Sequence, residues 1–306
     1  MKILVTGGAG YVGIELTRQL LDRGDKITIL DNFMYGYEPV LHLMRNSNLE
    51  VIKKDIRNLN ASDLKGYDVI FHLAGISGYP ACEANPHSAQ IINVDATRQM
   101  VKYIKNSKQL MIYASTTSFY GKKAFDCDET TEVAPVSLYG KTKYEAEKII
   151  MSRKNSIALR FATIFGTSAK MRNDLLVNDF VYKAINERSV MIFDGKSRRT
   201  FVHILDAVQG YLFALDNRRA VTDGVYNVGD ESMNYSKYDI VKSINKFIDF
   251  EIIDSSLNDL DVRSFNVSFK KIKSLGYGVK YSLSDGIQEL IKLYQFYRQY
   301  MPYKVI

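Results

Sequence analysis

Cysteine and histidine are scarce, with two of the first and four of the second in 306 residues, and each scarcity removes a class of protein. Cys82 and Cys127 alone make neither a disulfide framework nor a zinc site. His42, His72, His87 and His203 show no ligand spacing, so a reduced protein without a metal is expected. No run approaches the roughly 18 apolar residues of a membrane span. The first residues form an apolar, strand-like run, without the charged region, longer apolar stretch and cleavage site of a secretory signal. A cytoplasmic location without membrane contact is therefore expected. The formal charge is +7, from 41 Lys and Arg against 34 Asp and Glu. It is scattered in short groups such as Lys122-Lys123 and Arg198-Arg199, so nucleic acid is not an expected partner. Repeats, low-complexity tracts and flexible linkers are also missing.

What is present is ordinary globular material, 46% hydrophobic and 25% charged. Apolar strand candidates at residues 2–6, 26–30, 49–53, 68–74, 109–114 and 156–161 alternate with helical patterns at 12–23, 85–106 and 138–153. That rhythm predicts a parallel sheet with right-handed crossovers, whose ligands lie at the carboxyl ends of the strands. After about Gly166 the rhythm changes. Helices are expected at 174–187, 204–216, 236–247 and 285–300, with short strands at 190–193, 201–204 and 224–228. The reading is an α/β fold: a doubly wound parallel sheet (Rossmann-like) with a smaller C-terminal α/β substrate region. Residues 1–166 form the first unit, with segments near 201–218 returning to it, and residues 167–306 the second.

Gly7-Gly8-Ala9-Gly10-Tyr11-Val12-Gly13 lies between the first strand and the first helix. Gly7 permits a tight turn, Gly10 lets backbone approach a pyrophosphate, and Gly13 lets helix and sheet pack closely. The phosphate then meets free N–H groups at the helix N-terminus. Asp31, followed by Asn32, ends the second strand, where a carboxylate accepts hydrogen bonds from a ribose diol and repels a 2′-phosphate. The expected cofactor is NAD, not NADP.

Tyr139 and Lys143 are four apart at the start of a helix and share one face. A cation beside a phenol favours the phenolate and brings it into range as a general base. Tyr139 would then exchange a proton with a substrate oxygen while hydride moves at carbon. Upstream, Ala114-Ser115-Thr116-Thr117-Ser118-Phe119-Tyr120-Gly121 places hydroxyls at the carboxyl edge of the sheet, where one can hydrogen-bond the reacting oxygen.

With these come Asp55-Ile56-Arg57, His72-Leu73-Ala74-Gly75, Asn93, Arg160, Arg199-Thr200-Phe201-Val202-His203 and Tyr226-Asn227-Val228-Gly229, in that order. The sequence thereby resembles the extended short-chain dehydrogenase/reductase family, in its nucleotide-sugar epimerase/dehydratase branch, over nearly the whole chain. The resemblance implies NAD contacts from Tyr11, Val12, Asn32, Asp55, Ile56, Leu73, Ala74, Gly75 and Asn93 beside the glycines and Asp31. It implies Thr116, Tyr139 and Lys143 as the catalytic set, the last two also touching the cofactor. Substrate contacts are expected from Ser77, Thr116, Thr117, Thr163 and Asn178, with Arg199 and Arg263 gripping the diphosphate. His203, in an apolar strand, reads as a packed structural residue. Homodimers built through the Tyr139 helix and the helix before it are a further family expectation.

The implied activity is NAD-dependent oxidoreduction of a nucleoside-diphosphate sugar. Related dehydratases and decarboxylases carry an acid two positions after the catalytic hydroxyl; here Ser118 stands there, after Thr117, so elimination of water is disfavoured. Epimerisation through a C4 keto-sugar is favoured over a C4 dehydrogenase or keto-sugar reductase. Ser77 and Thr163 depart from the usual hexose 4-epimerase pattern, and residues 171–180 resemble a subgroup acting on GDP-linked sugars and heptoses. A non-catalytic NAD-binding regulator is the third class; it would have no need of the Thr116, Tyr139 and Lys143 set.

Overall fold

The computed structural model describes residues 1–105, 108–255 and 263–298. In chain order the strands are β1 (Lys2–Thr6), β2 (Lys26–Asp31), β3 (Leu49–Lys53), β4 (Val69–His72), β5 (Leu110–Thr116), β6 (Lys122–Cys127), β7 (Ser156–Phe161), β8 (Thr163–Phe165), β9 (Ser189–Phe193), β10 (Arg198–His203), β11 (Gly224–Val228), β12 (Asn234–Ser236), β13 (Glu251–Ser255) and β14 (Ser264–Val267). Seven of them form one parallel sheet in the order β11-β7-β5-β4-β1-β2-β3. The sheet runs outward from β1 in both directions, so a crevice opens beyond the carboxyl ends of β1 and β4.

Alternation along the strands supplies the cores on its two faces. Ile3, Val5, Ile27, Ile29, Val69 and Phe71 point into one, while Leu4, Leu30, Ile70 and Met111 point into the other. The helix Tyr11–Asp22 packs on the first face through Ile14, Leu16, Leu20 and Leu21. The helix Leu138–Met151 packs on the second, and Ser137 caps its start by accepting from Gly140 N.

A separate apolar core is built from the helices Leu176–Asn186, Lys237–Asn245 and Leu283–Tyr294, around Val181, Ile240 and Ile287. Between these two cores the chain goes back and forth. β10 pairs with β8 and β12 in a small sheet. The helix Ile204–Asp216 then lies alongside Tyr11–Asp22, with Gln209 donating to Gln19 and Arg23 pairing with Asp216. β11 completes the main sheet against β7. The return to the first unit therefore continues to Val228.

Three local differences from the sequence reading have physical causes. The expected helix at 85–106 is broken: Pro86–Gln90 and Ala96–Tyr103 are α-helical, while Ile91–Asp95 between them is a π turn. That wider turn places Asn93, which accepts from Ile76 N and donates to Ile76 O and Thr142 Oγ1. β6, β13 and β14 are short, polar strands, each paired in a two-stranded sheet with no long apolar run to announce it. The last helix starts at Leu283, two residues before expectation, because Ser282 and Asp285 form a capping box. The expected ends of two helices, at residues 106 and 299–300, lie outside the described residues.

Candidate active site

At the crevice, the turn after β1 and the loops after β4, β5 and β7 enclose a cleft of about 270 Å³. Its floor is the glycine turn. Gly7 has φ +72°, and a Cβ there would sit 2.6 Å from Ala74 N; a Cβ on Gly13 would meet Gly7 O at 2.1 Å. Glycine at both positions is thus dictated by the close packing of turn, helix and the loop after β4. Asp31 fixes the same turn, accepting from Ala9 N at 3.1 Å and Phe33 N at 2.9 Å. Burial pushes its carboxyl above the usual range, and those N–H donors act against the rise.

One wall carries Thr116, Ser118, Tyr139 and Lys143. Thr116 Oγ1 donates to Ser118 Oγ at 2.9 Å and accepts from Ser118 N. Lys143 is buried at 7% exposure, with its Nζ 4.2 Å from the centre of the Tyr113 ring. Loss of hydration pulls its ammonium from 10.5 down to about 7, opposed by the nearby Cys82 and Glu147. The cleft is also lined by Tyr35, Ser77, Thr163, Lys170, Arg172 and Arg263. Arg172 pairs with Asp174 at 2.6 Å and reaches Ser77 O at 3.5 Å. Among the described residues that line the cleft, none is acidic and four are Lys or Arg.

The cleft gathers Gly7, Gly10, Tyr11, Val12, Gly13, Leu73, Gly75, Ser77, Thr116, Tyr139, Lys143, Thr163 and Arg263 of the expected residues. The others do not line it. Thr117 is buried and donates to Phe161 O, so its hydroxyl joins two strands while Ser118 faces the cleft. Asn178 is fully buried; it accepts from Gly166 N and donates to Arg172 O at 2.9 Å, clamping the loop after β8. Asn93 is likewise a clamp, on the loop that carries Ser77. Ala74 lies against Gly7, and Asp55 caps Ile56–Asn58 while holding Arg57 and Asn32. Arg199 is buried in β10 opposite Tyr235.

Two buried histidines are structural. Thr97 donates to Asn93 O, so it accepts from His72 Nε2, and His72 Nδ1 accepts from Thr6; burial holds His72 neutral, at about 3. His203 Nδ1 accepts from Leu205 N and Nε2 donates to Glu289. Tyr35, Ser118, Lys170 and Arg172 were not anticipated. The run Lys170-Met171-Arg172 was the available signal, two cations in a loop after a strand, but only the fold brings that loop over the glycine turn. There Tyr11 OH donates to Gly166 O and Ser168 Oγ to Tyr11 O.

No described helix is long and apolar enough to cross a membrane. Residues 3–229 match the model of the NAD dependent epimerase/dehydratase family. A Bacillus subtilis protein named as an uncharacterized UDP-glucose epimerase is 33% identical, over 75% of this chain and 77% of its own length. UDP-glucuronate 4-epimerase 1 of Arabidopsis thaliana is 26% identical, over 98% of this chain and 78% of its own length. The crystal structure of UDP-glucuronic acid 4-epimerase from Bacillus cereus, in complex with UDP-glucuronic acid and NAD, is similar with a TM-score of 0.84 at 26% identity, covering 96% of this chain and 99% of that one. On the family match, and with a glycine turn, Tyr139 and Lys143 lining one cleft, the chain belongs to the NAD dependent epimerase/dehydratase family.

Proposed function

We propose that the protein epimerises C4 of a UDP-linked sugar, using NAD that is reduced and reoxidised within each cycle. The observation that carries this is Thr116, Tyr139 and Lys143 lining the same cleft as the glycine turn. Tyr139 takes the C4 hydroxyl proton as hydride leaves the carbon, and Thr116 hydrogen-bonds the oxygen. The keto-sugar turns its other face, and the same groups return proton and hydride. In this reading residues 1–166, with the returning segments through Val228, hold NAD through the glycine turn, Asp31 and the loop after β4. Residues 167–306 mainly hold the nucleotide sugar, with Arg199 and Arg263 at its diphosphate. The enzyme works as a cytoplasmic homodimer in carbohydrate biosynthesis.

The favoured sugar bears a carboxylate. Lys170 and Arg172 line the cleft besides Lys143 and Arg263, and Arg172, held by Asp174, stands beside Ser77, where the sugar would lie. The test supplies UDP-glucuronate and UDP-glucose with trace NAD and follows NADH absorbance and product mass. Expected is a C4-inverted product of unchanged mass, formed faster from the uronate. Stoichiometric NADH with a product two hydrogens lighter would establish a dehydrogenase; loss of carbon dioxide would establish a decarboxylase.

Asp31 also sets cofactor choice in this reading. Asp31→Ala should weaken NAD binding and narrow its margin over NADP, since the charge facing a 2′-phosphate is gone. The two affinities, measured by titration calorimetry, check it. An unchanged margin would remove Asp31 from that role.

A further inference from the structure

Beneath the Tyr139 wall lies a buried charged network that the reaction as described does not use. Glu147, one helical turn beyond Lys143, is 3% exposed and Arg160 5%. Arg160 donates to the Glu147 carboxylate from Nε and from Nη2, the latter at 2.7 Å. Glu147 Oε2 also accepts from Ser115 Oγ at 2.5 Å. Arg160 Nη1 donates to Tyr120 OH at 2.9 Å, and Tyr120 OH to Asn227 Oδ1 at 2.8 Å. Arg160 on β7 stands directly opposite Ser115 on β5, which lines the cleft next to Thr116. One carboxylate therefore ties the Leu138–Met151 helix to the cleft ends of two strands.

We propose that Glu147 is a positioning residue for the reaction, holding Ser115 and the end of β5 in register with Tyr139 and Lys143 and placing a fixed negative charge one turn below the Lys143 ammonium. The proposal rests on the epimerase reading for its kinetic arm alone. A buried ion pair is seldom a source of net stability, since desolvating both charges offsets their attraction, so its placement calls for another reason. Lys143 is faced by His72 and Tyr113 from the sheet, Cys82 from the helix Tyr79–Ala84, and Glu147 from its own helix, with the Arg160 cation on the far side of that carboxylate. Buried His72 is neutral and the Cys82 thiol is held up at about 11 by burial, so Glu147 is the formal anion acting on Lys143 in that set at neutral pH. With the Lys143 ammonium pulled down toward neutral pH by burial, a change in that field bears directly on its charge.

Glu147→Gln would leave Arg160 charged and unpaired, and could cost the fold itself. The decisive variant is therefore the double substitution Glu147→Met with Arg160→Met, which removes both charges at similar volume. It is compared with Ser115→Ala and the parent. The Lys143 ammonium is titrated by NMR on 13Cε-labelled lysine, with Lys143→Met giving the assignment; thermal midpoints, kcat and KM are measured beside it. Expected for the double variant is a cooperative fold and a lower Lys143 titration midpoint, because the lost carboxylate acts on Lys143 more directly than the lost Arg160 cation, whose removal works the other way. Its kcat should fall about tenfold, as for a displaced acid/base group, with KM for the nucleotide sugar little changed. Ser115→Ala should reproduce part of the kcat loss without moving the titration. A parental Lys143 midpoint in the folded double variant overturns the electrostatic part, and parental kcat in both variants overturns the positioning part. If the parent itself turns over no nucleotide sugar, the epimerase reading fails, while the NMR midpoint still decides what Glu147 does to Lys143.

Discussion

Tyr139→Phe should retain the fold and NAD binding but lower turnover about 10²–10⁴-fold, the range for losing a positioned acid/base group. Tyr139 lines the cleft on the helix whose start is capped by Ser137, and its ring can be kept while only the hydroxyl is removed. Sheet and glycine turn do not depend on that hydroxyl. Single-turnover transfer of hydride to bound NAD is the sharpest readout, because it isolates the oxidation from product release. Near-parental transfer would place the proton elsewhere and restore the non-catalytic regulator as the better reading.

Lys143→Met should stop turnover almost as completely, yet stabilise the protein at mildly acidic pH. The folded Lys143 holds its proton less tightly than the unfolded chain does, at about 7 against 10.5. The unfolded state then binds more protons between those values, so this lysine's contribution to stability rises with pH across that window and is flat below it. At about pH 6 the parent must bury a charged ammonium, a cost on the order of 3–5 kcal/mol that methionine avoids. The thermal midpoint of Lys143→Met should exceed the parent's by several degrees at about pH 6, and the gap should shrink as pH rises toward 10. A gap of the same size at every pH would mean that Lys143 is not desolvated in the folded protein. The pairing of lost activity with gained stability is what a residue kept for chemistry and not for folding should show.

Much of this was legible in the sequence because its signals are local. β1, the glycine turn and the first helix announce themselves by period and by residue type, since a single crossover unit dictates all three. Spacing put Tyr139 and Lys143 on one helix face, but among 21 tyrosines it took the hydroxyl-rich run at 114–121 and the family pattern to single them out. What escaped depends on contacts between distant segments. Thr116, Thr117 and Ser118 are indistinguishable as letters; only the path of the chain after β5 turns Thr117 onto Phe161 O and leaves Ser118 facing the cleft. The loop contacts of Asn178 and Asn93 were likewise invisible, because a polar residue near a site carries no local mark of which distant loop it holds. The break in the helix around Ile91–Asp95 was hidden for the same reason, as its helical periodicity runs on through the extra residue.

The position of β11 bears on how the protein comes into being. The sheet that frames the NAD cleft is finished only when residues 224–228 arrive, well after the second core has begun to be synthesised. Until then β7 presents an unpaired edge, and Tyr211 and Val228 are missing from the apolar face that they fill. During synthesis the nascent first unit is therefore an incomplete sheet with a sticky margin, and closing it requires pairing across a long loop of sequence. Cutting the chain after residue 166 would not release a small autonomous nucleotide binder; it would expose that margin. Any attempt to graft the cofactor half onto another substrate region must carry the helix Ile204–Asp216 and β11 along with it.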